Sequence, residues 1–181
     1  MALEENEHRG FLKDEYLLLQ NQYEDYDRRS LTIKGWVGSG AAAALALAFN
    51  SSYRAALLIP VFVIVIAGVF WYLEAYWKVF QYSLADRIRV IEAFFRDDAD
   101  ILVRNPAPFQ AYHFWFKSFA EDEPIYEYEK SYRPKPLGYR LREAAFQSFV
   151  MVLYTCIIGL SLLSFVILLL LRLHPQWKLF G

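Results

Sequence analysis

The sequence predicts an all-α integral membrane protein with three transmembrane helices, the first two forming a long antiparallel hairpin that extends into the cytoplasm. Three observations predict it. The chain carries three uncharged apolar runs of bilayer-crossing character, amphipathic seams of matching period flank the first two, and positive charge collects on one side of the runs. Of 181 residues, 56% are hydrophobic and 22% charged, whereas soluble domains average roughly 45–50% apolar residues. The excess is concentrated in the runs.

Residues 1–34 are expected to form a cytoplasmic amphipathic helix, because Leu12, Tyr16, Leu19, Tyr23, Tyr26 and Ile33 recur at heptad spacing on one side. Residues 35–49, GWVGSGAAAALALAF, form the first span. At roughly 22 Å this run crosses only if the helix starts near Leu31 and Lys34 snorkels to the interface. A soluble core helix and a signal-peptide core are the alternatives. The second fits badly, since the acidic MALEENEH and EDYDRR stretches precede the run where a short basic segment is required. The span is therefore expected to remain as an anchor.

Residues 50–54 make a short external turn and residues 55–73, AALLIPVFVIVIAGVFWYL, the second span, roughly 28 Å long. Residues 74–103 continue that helix into the cytoplasm, with a seam of Trp77, Phe80, Leu84, Ile88, Ile91, Phe95 and Leu102. A turn this short permits only antiparallel neighbours. A fold-back centred on it sets Tyr26 against Trp77, Tyr23 against Phe80, Leu19 against Leu84 and Leu12 against Ile91, so seams read independently meet in register. The result is one hairpin of roughly 70 Å by helical rise. The same register places Asp14 beside Arg89 and Arg29 beside Glu74, exposed pairs contributing about 0–1 kcal/mol each.

Residues 104–148 form an aromatic-rich cytoplasmic loop. Asn105, Pro106 and Pro108 stop the preceding helix. A short helix from about Phe109 to Ala120 holds Phe109, Tyr112, Phe114, Trp115, Phe116 and Phe119, and either packs on the stalk or lies in the headgroup layer. IYEYEKSY alternates like a brief extended stretch, and RPKPLG reads as a turn. Residues 149–171 are the third span, roughly 34 Å long, and 172–181 an external tail.

Of 19 Lys and Arg residues, 5 precede the first span and 11 lie in 74–148, against Arg54 in the turn and Arg172 and Lys178 after the last span. The positive-inside rule then puts the amino terminus and the long loop in the cytoplasm and the carboxyl terminus outside. Trp36, Trp71, Tyr72 and Trp77 fall at the inner interface, Tyr53 and Trp177 at the outer. The expected location is a membrane crossed three times, with the amino terminus inside.

Chemistry is sparse. The single Cys156 lies in an apolar run, and His8, His113 and His174 lack metal-ligand spacing. A packed His113 is the expected state. A net charge of -1 excludes a general nucleic-acid binder, which needs a basic face. The acidic runs Asp97, Asp98, Asp100 and Glu121, Asp122, Glu123 have no nucleophile or histidine partner and read as solvated faces. Phosphate-cradling, GxSxG, HExxH and CxxC motifs are absent, so no enzyme, metal or cofactor is expected. The span interiors hold no ionisable residue, unlike ion and proton paths. A pore would need several subunits lined by Ser39, Thr155, Ser161 or Ser164.

Two small-residue rows on the first span, Gly35, Ser39, Ala43 and Gly40, Ala44, Ala48, permit close backbone approach, with Thr155 and Gly159 a weaker notch on the third. One row packs on the second span while the other serves the third span or another copy of the chain; the alternative is that all fill an intramolecular bundle. Arg28, Arg29, Trp36, Glu74, Trp77 and Lys78 collect where stalk meets bilayer. They serve either as interface anchors or as a relay of stalk packing to the spans.

YEDYDRRSLTIKGW (23–36) followed by FWYLEAYWKVFQYS (70–83) is similar to small uncharacterised bacterial inner-membrane proteins. Over about residues 12–103 the layout also resembles SLATT-type two-span effectors attached to bacterial nucleotide-signalling and anti-phage systems: a leading cytoplasmic helix with Arg28 and Arg29, a tight hairpin, then a long helix. The chain departs from that layout in its third span and aromatic loop. The resemblance implies a pore-forming or membrane-perturbing effector restrained until a cytoplasmic protein partner signals. A passive anchor or sensor subunit for a soluble enzyme is the other expectation. Partners are then the bilayer, further copies of the chain and a cytoplasmic protein, with no nucleic acid. Single cysteines at positions 52 and 110 should be labelled by an impermeant thiol reagent from opposite sides of the membrane; labelling from one side overturns the topology.

Overall fold

The computed structural model describes residues 2–50, 54–97, 106–121 and 135–173. It is all-helical, with no strand among the described residues: α1 (Ala2–Asn50), a 3-10 turn (Arg54–Leu57), α2 (Leu58–Arg96), α3 (Ala111–Phe116) continuing as a π turn (Lys117–Glu121), α4 (Leu137–Ala145) and α5 (Ser148–Leu173). Three of these, α1, α2 and α5, are long and apolar enough to cross a membrane. Pro60 falls in the first turn of α2, where a missing backbone N–H costs nothing.

Several boundaries differ from expectation. The second long helix ends at Arg96, not near residue 103; Asp97 adopts φ 55°, a left-handed conformation that a short polar side chain tolerates and that ends the helix. Leu102 and Asn105 lie outside the described residues, as do the 51–53 turn, Asp98, Asp100, Asp122, Glu123, the IYEYEKSY stretch, His174 and Trp177. The RPKPLG turn gives way to a helix that sequence reading missed: the Pro136 carbonyl accepts from Tyr139 N (2.9 Å) and Arg140 N (3.3 Å), nucleating α4. After α4 the Gln147 carbonyl accepts from Val150 N and Met151 N, both at 2.9 Å, and opens α5.

The chain divides into two compact units. Unit 1 comprises Met1–Arg29 and Tyr76–Ala144, and unit 2 comprises Ser30–Ala75 and Ala145–Gly181.

In unit 1, Leu12, Leu19, Leu84, Ile88 and Ile91 form one buried cluster, with Tyr16, Tyr23, Tyr26 and Phe94 packed against it. Polar contacts move down α1 as they move up α2, from Glu15 with Arg87, through Tyr23 with Gln81, to Asp27 with Lys78. The segments are thus antiparallel here, and the two apolar seams share one core. Phe95, assigned to the seam from sequence, is exposed, and its neighbour Phe94 turns inward instead.

The aromatic segment packs on α2. Phe80 stacks on Trp115 (centroids 5.2 Å) and Phe119 (4.3 Å), and Trp115 lies parallel to Phe119 at 5.2 Å. Arg140 of α4 donates to the Ser118 and Phe119 carbonyls at 2.8 and 2.6 Å, satisfying acceptors at the end of the π turn. His113 is exposed, contrary to the packed state expected of it, because the face of α3 that meets α2 is the one carrying Phe114 and Trp115.

In unit 2, α1, α2 and α5 share a core of Val37, Ala41, Val63, Ala67, Tyr154 and Ile157. Trp71 stacks on Tyr154 at 6.4 Å and donates its indole N–H to the Ala145 carbonyl at 2.9 Å. Most other side chains of these segments face outward, including Leu47, Phe62, Val65, Leu160, Leu163 and Val166.

The shared cluster of unit 1 predicts a sharp contrast. Leu19→Ala or Ile91→Ala should cost about 2–4 kcal/mol, while Leu18→Ala, on the exposed side, should cost under about 0.5 kcal/mol; chemical denaturation in detergent, followed by circular dichroism, checks both.

Candidate functional site

The heptad that buries Leu12 and Leu19 also turns Glu15 inward, and the period of α2 carries Arg87 between Leu84 and Ile91. Arg87 is 0% exposed and Glu15 6%. Their bond is bidentate: Nε donates to Oε1 and Nη2 to Oε2, each at 2.9 Å. A buried charge must be answered fully, because the residual desolvation penalty is several kcal/mol per ion. The returning segment supplies more of this, although Arg87 Nη1 completes no hydrogen bond among the described residues. Arg87 Nη2 also donates to the Ala107 carbonyl (2.8 Å), the Phe109 amide donates to Glu15 Oε2 (2.9 Å), and the guanidinium lies over the Phe114 ring at 4.9 Å. Phe109 reaches Glu15 with φ 63°, a region costly for a side chain with a Cβ.

Around this centre run further ties. The Tyr16 hydroxyl donates to Glu92 Oε1 (3.1 Å), and burial, followed by that bond, raises the Tyr16 phenol above its ordinary range and keeps it a donor. Ser118 Oγ donates to Asp86 Oδ2 at 2.5 Å, and His8 Nε2 meets the Pro106 carbonyl at 3.0 Å. Lys78 joins Asp27 (2.6 Å) to the Gln81 amide oxygen (2.7 Å), while Gln81 Nε2 donates to the Tyr23 carbonyl (2.8 Å).

Unit 1 also carries an open cavity of about 690 Å³, within the range that holds small organic ligands. One wall is a stripe of α1, Gln22, Asp25, Tyr26 and Arg29. The facing wall is aromatic, made of Tyr76, Trp77, Phe80, Tyr112 and Trp115. Arg29 and Asp25 pair with each other at 2.6 Å.

Unit 2 holds a second polar centre. Glu74, 4% exposed, accepts from Ser30 Oγ (2.7 Å) and pairs with Lys34 Nζ (2.7 Å), which also donates to the Phe149 carbonyl (2.7 Å) and lies over the Phe149 ring at 3.7 Å. The buried Tyr154 hydroxyl lies within electrostatic range of this carboxylate. Neither Glu74 Oε2 nor that hydroxyl completes a hydrogen bond.

Comparison with protein-family models, curated proteins and solved structures found no match. The reading therefore rests on the geometry.

The expected Arg29–Glu74 and Asp14–Arg89 pairs are replaced. Arg29 bonds Asp25 one turn back, Glu74 takes Lys34, and Arg89 faces Asp86 at 3.7 Å. For Arg29 and Arg89 the partner lies on the same helix within about one turn. Of the six junction residues, Arg28, Arg29, Trp77 and Lys78 belong to unit 1, and Trp36 and Glu74 to unit 2. Trp36 is exposed, Trp77 lines the cavity and Lys78 is buried. Of the small residues, Gly35, Ser39, Ala43 and Gly40 are exposed, Ala44 packs against the unit 2 core and Ala48 is buried. Thr155 bonds back to the Met151 carbonyl (3.0 Å) and Gly159 is exposed. Ser161 and Ser164 are buried, Ser161 bonded to its own helix at 2.8 Å.

Sequence reading missed Glu15, Arg87, Ser30 and Tyr154. The signal for the first two was present, since both adjoin core positions of the seams and the fold-back brings them nearly opposite. Among the described residues no group of His, Cys, Asp and Glu could hold a metal ion.

Removing one member of the Glu15–Arg87 pair should cost about 3–5 kcal/mol, since it strands a buried charge. The cycle of Glu15→Gln, Arg87→Met and the double variant should show the double less destabilised than the sum of the singles, measured by denaturant unfolding in detergent.

Proposed function

We propose that the chain is a non-enzymatic, multi-pass protein of a bacterial inner membrane that self-associates and acts as a membrane effector, perturbing or permeating the bilayer under the control of a cytoplasmic protein partner. The observation that carries this reading is the uncovered apolar surface of α1, α2 and α5. Leu47, Phe62, Val65, Leu160 and Leu163 are all exposed, together with the Gly35, Ser39, Ala43 row, more apolar surface than a soluble monomer presents to water. Lipid and further copies of the chain are its natural cover.

In this reading α1 and α2 form the hairpin that crosses the bilayer, and α5 crosses a third time. Charge asymmetry supports a cytoplasmic amino terminus and an external carboxyl terminus. The charged, aromatic unit 1 is then the part a cytoplasmic partner meets. A role in anti-phage defence draws on the resemblance in layout to SLATT-type effectors.

An anchor or sensor subunit for a soluble enzyme is the second reading. It draws on the aromatic side chains that α3 leaves exposed, Tyr112 and Phe116, which are suited to holding another protein.

Induction of the chain alone in a bacterial host separates the two: an effector depolarises the membrane, read with a potential-sensitive dye, and an anchor is silent. Native mass measurement in detergent should show an oligomer. Gly35→Leu with Ser39→Leu should shift it to monomer and abolish depolarisation; a monomeric parent chain excludes a subunit-lined pore.

A further inference from the structure

The geometry points to the unit 1 cavity as a binding site for a zwitterion that carries an ammonium and a phosphate, as a phosphatidylethanolamine headgroup does. The argument begins with the two walls. Gln22, Asp25 and Arg29 occupy one stripe of α1 and bring one carboxylate, one guanidinium and one amide to the cavity. Opposite them, Trp77, Tyr112 and Trp115 present aromatic surface. Aromatic faces attract cations electrostatically, and Trp does so most strongly.

The fixed charges of the cavity sum to zero, one from Asp25 and one from Arg29. A simple anion would engage Arg29 and leave Asp25 unpaired, and a simple cation would do the reverse. A ligand holding both charges satisfies both groups at once: its ammonium goes to Asp25 and the aromatic wall, its phosphate to the planar fork of Arg29. The free protein fills those valences with an internal pair at 2.6 Å. That pair is exposed, with side-chain accessibilities of 72% for Arg29 and 37% for Asp25, and exposed i, i+4 pairs are weak. It therefore yields readily to a ligand of complementary polarity.

Position selects the lipid as source. Arg29 and Tyr76 each adjoin, in sequence, the segments that carry the apolar spans, and Trp and Tyr are the residues enriched at headgroup depth. The choice of a lipid rests on the membrane reading above, whereas the recognition chemistry does not.

The test uses the full chain in detergent, with binding read by isothermal titration calorimetry. Four probes are titrated: dihexanoyl phosphatidylethanolamine, dihexanoyl phosphatidylglycerol, phosphoethanolamine and ethylamine. Saturable binding of the first and third, with the second and fourth weaker, is expected. Asp25→Asn and Arg29→Gln should each weaken binding about tenfold, the loss of one charge-assisted contact, with the far-ultraviolet circular dichroism of the parent retained. Equal binding of phosphatidylglycerol or ethylamine, or binding indifferent to both substitutions, overturns the zwitterion site. Mass spectrometry of the chain extracted from membranes then separates the sources. A retained aminophospholipid that both variants lose supports the lipid. No retained lipid, with phosphoethanolamine still binding, overturns the lipid source and assigns the site to a soluble aminophosphate.

Discussion

Burying charge on α2 is the constraint from which the rest follows. This helix carries Glu74, Lys78, Gln81, Ser83 and Arg87 into the interior, and each ionised group taken out of water needs an exact partner or the fold loses several kcal/mol. The partners are supplied mainly by α1: Lys34 and Ser30 for Glu74, Asp27 for Lys78, the Tyr23 carbonyl for Gln81 and Glu15 for Arg87. Apolar seams tolerate sliding by a turn, because one leucine packs much like another. Polar pairs do not, and so they define the alignment within each unit.

That division explains what could be read from the amino acids alone. The three apolar runs and the cluster of Leu12, Leu19, Leu84, Ile88 and Ile91 were legible, because hydrophobic periodicity is a local pattern and burial is its direct consequence. The polar partners were not. Glu15 and Arg87 look like any solvated charges until a third segment covers them, and what covers them, the backbone around Ala107 and Phe109, is distant in sequence. Local competition hid other pairs: Arg29 has a carboxylate one turn away, and proximity along the helix decides against Glu74. The end of α2 at Arg96 and the presence of α4 turn on backbone events, a left-handed Asp97 and carbonyl acceptance by Pro136, that composition does not announce.

The two units also divide the chemistry. Unit 2 is apolar outside and keeps one charged centre at Lys34 and Glu74, so the specificity of its packing is concentrated at that centre and the remainder is shape. Unit 1 inverts the balance, with aromatic stacking and hydrogen bonds holding a short returning segment against α2. A segment this short has no core of its own and takes its structure from the surface beneath it. The order of this region therefore depends on a few named contacts.

Phe109 gives that dependence a mechanical form. Its backbone sits in the left-handed region while its amide feeds the Glu15 carboxylate. Unwinding this single dihedral to its relaxed value withdraws the amide from Glu15, so release of stored torsion and disruption of the carboxylate–guanidinium centre are coupled. One peptide plane thus links the backbone at Phe109 to the most deeply buried charge of the unit.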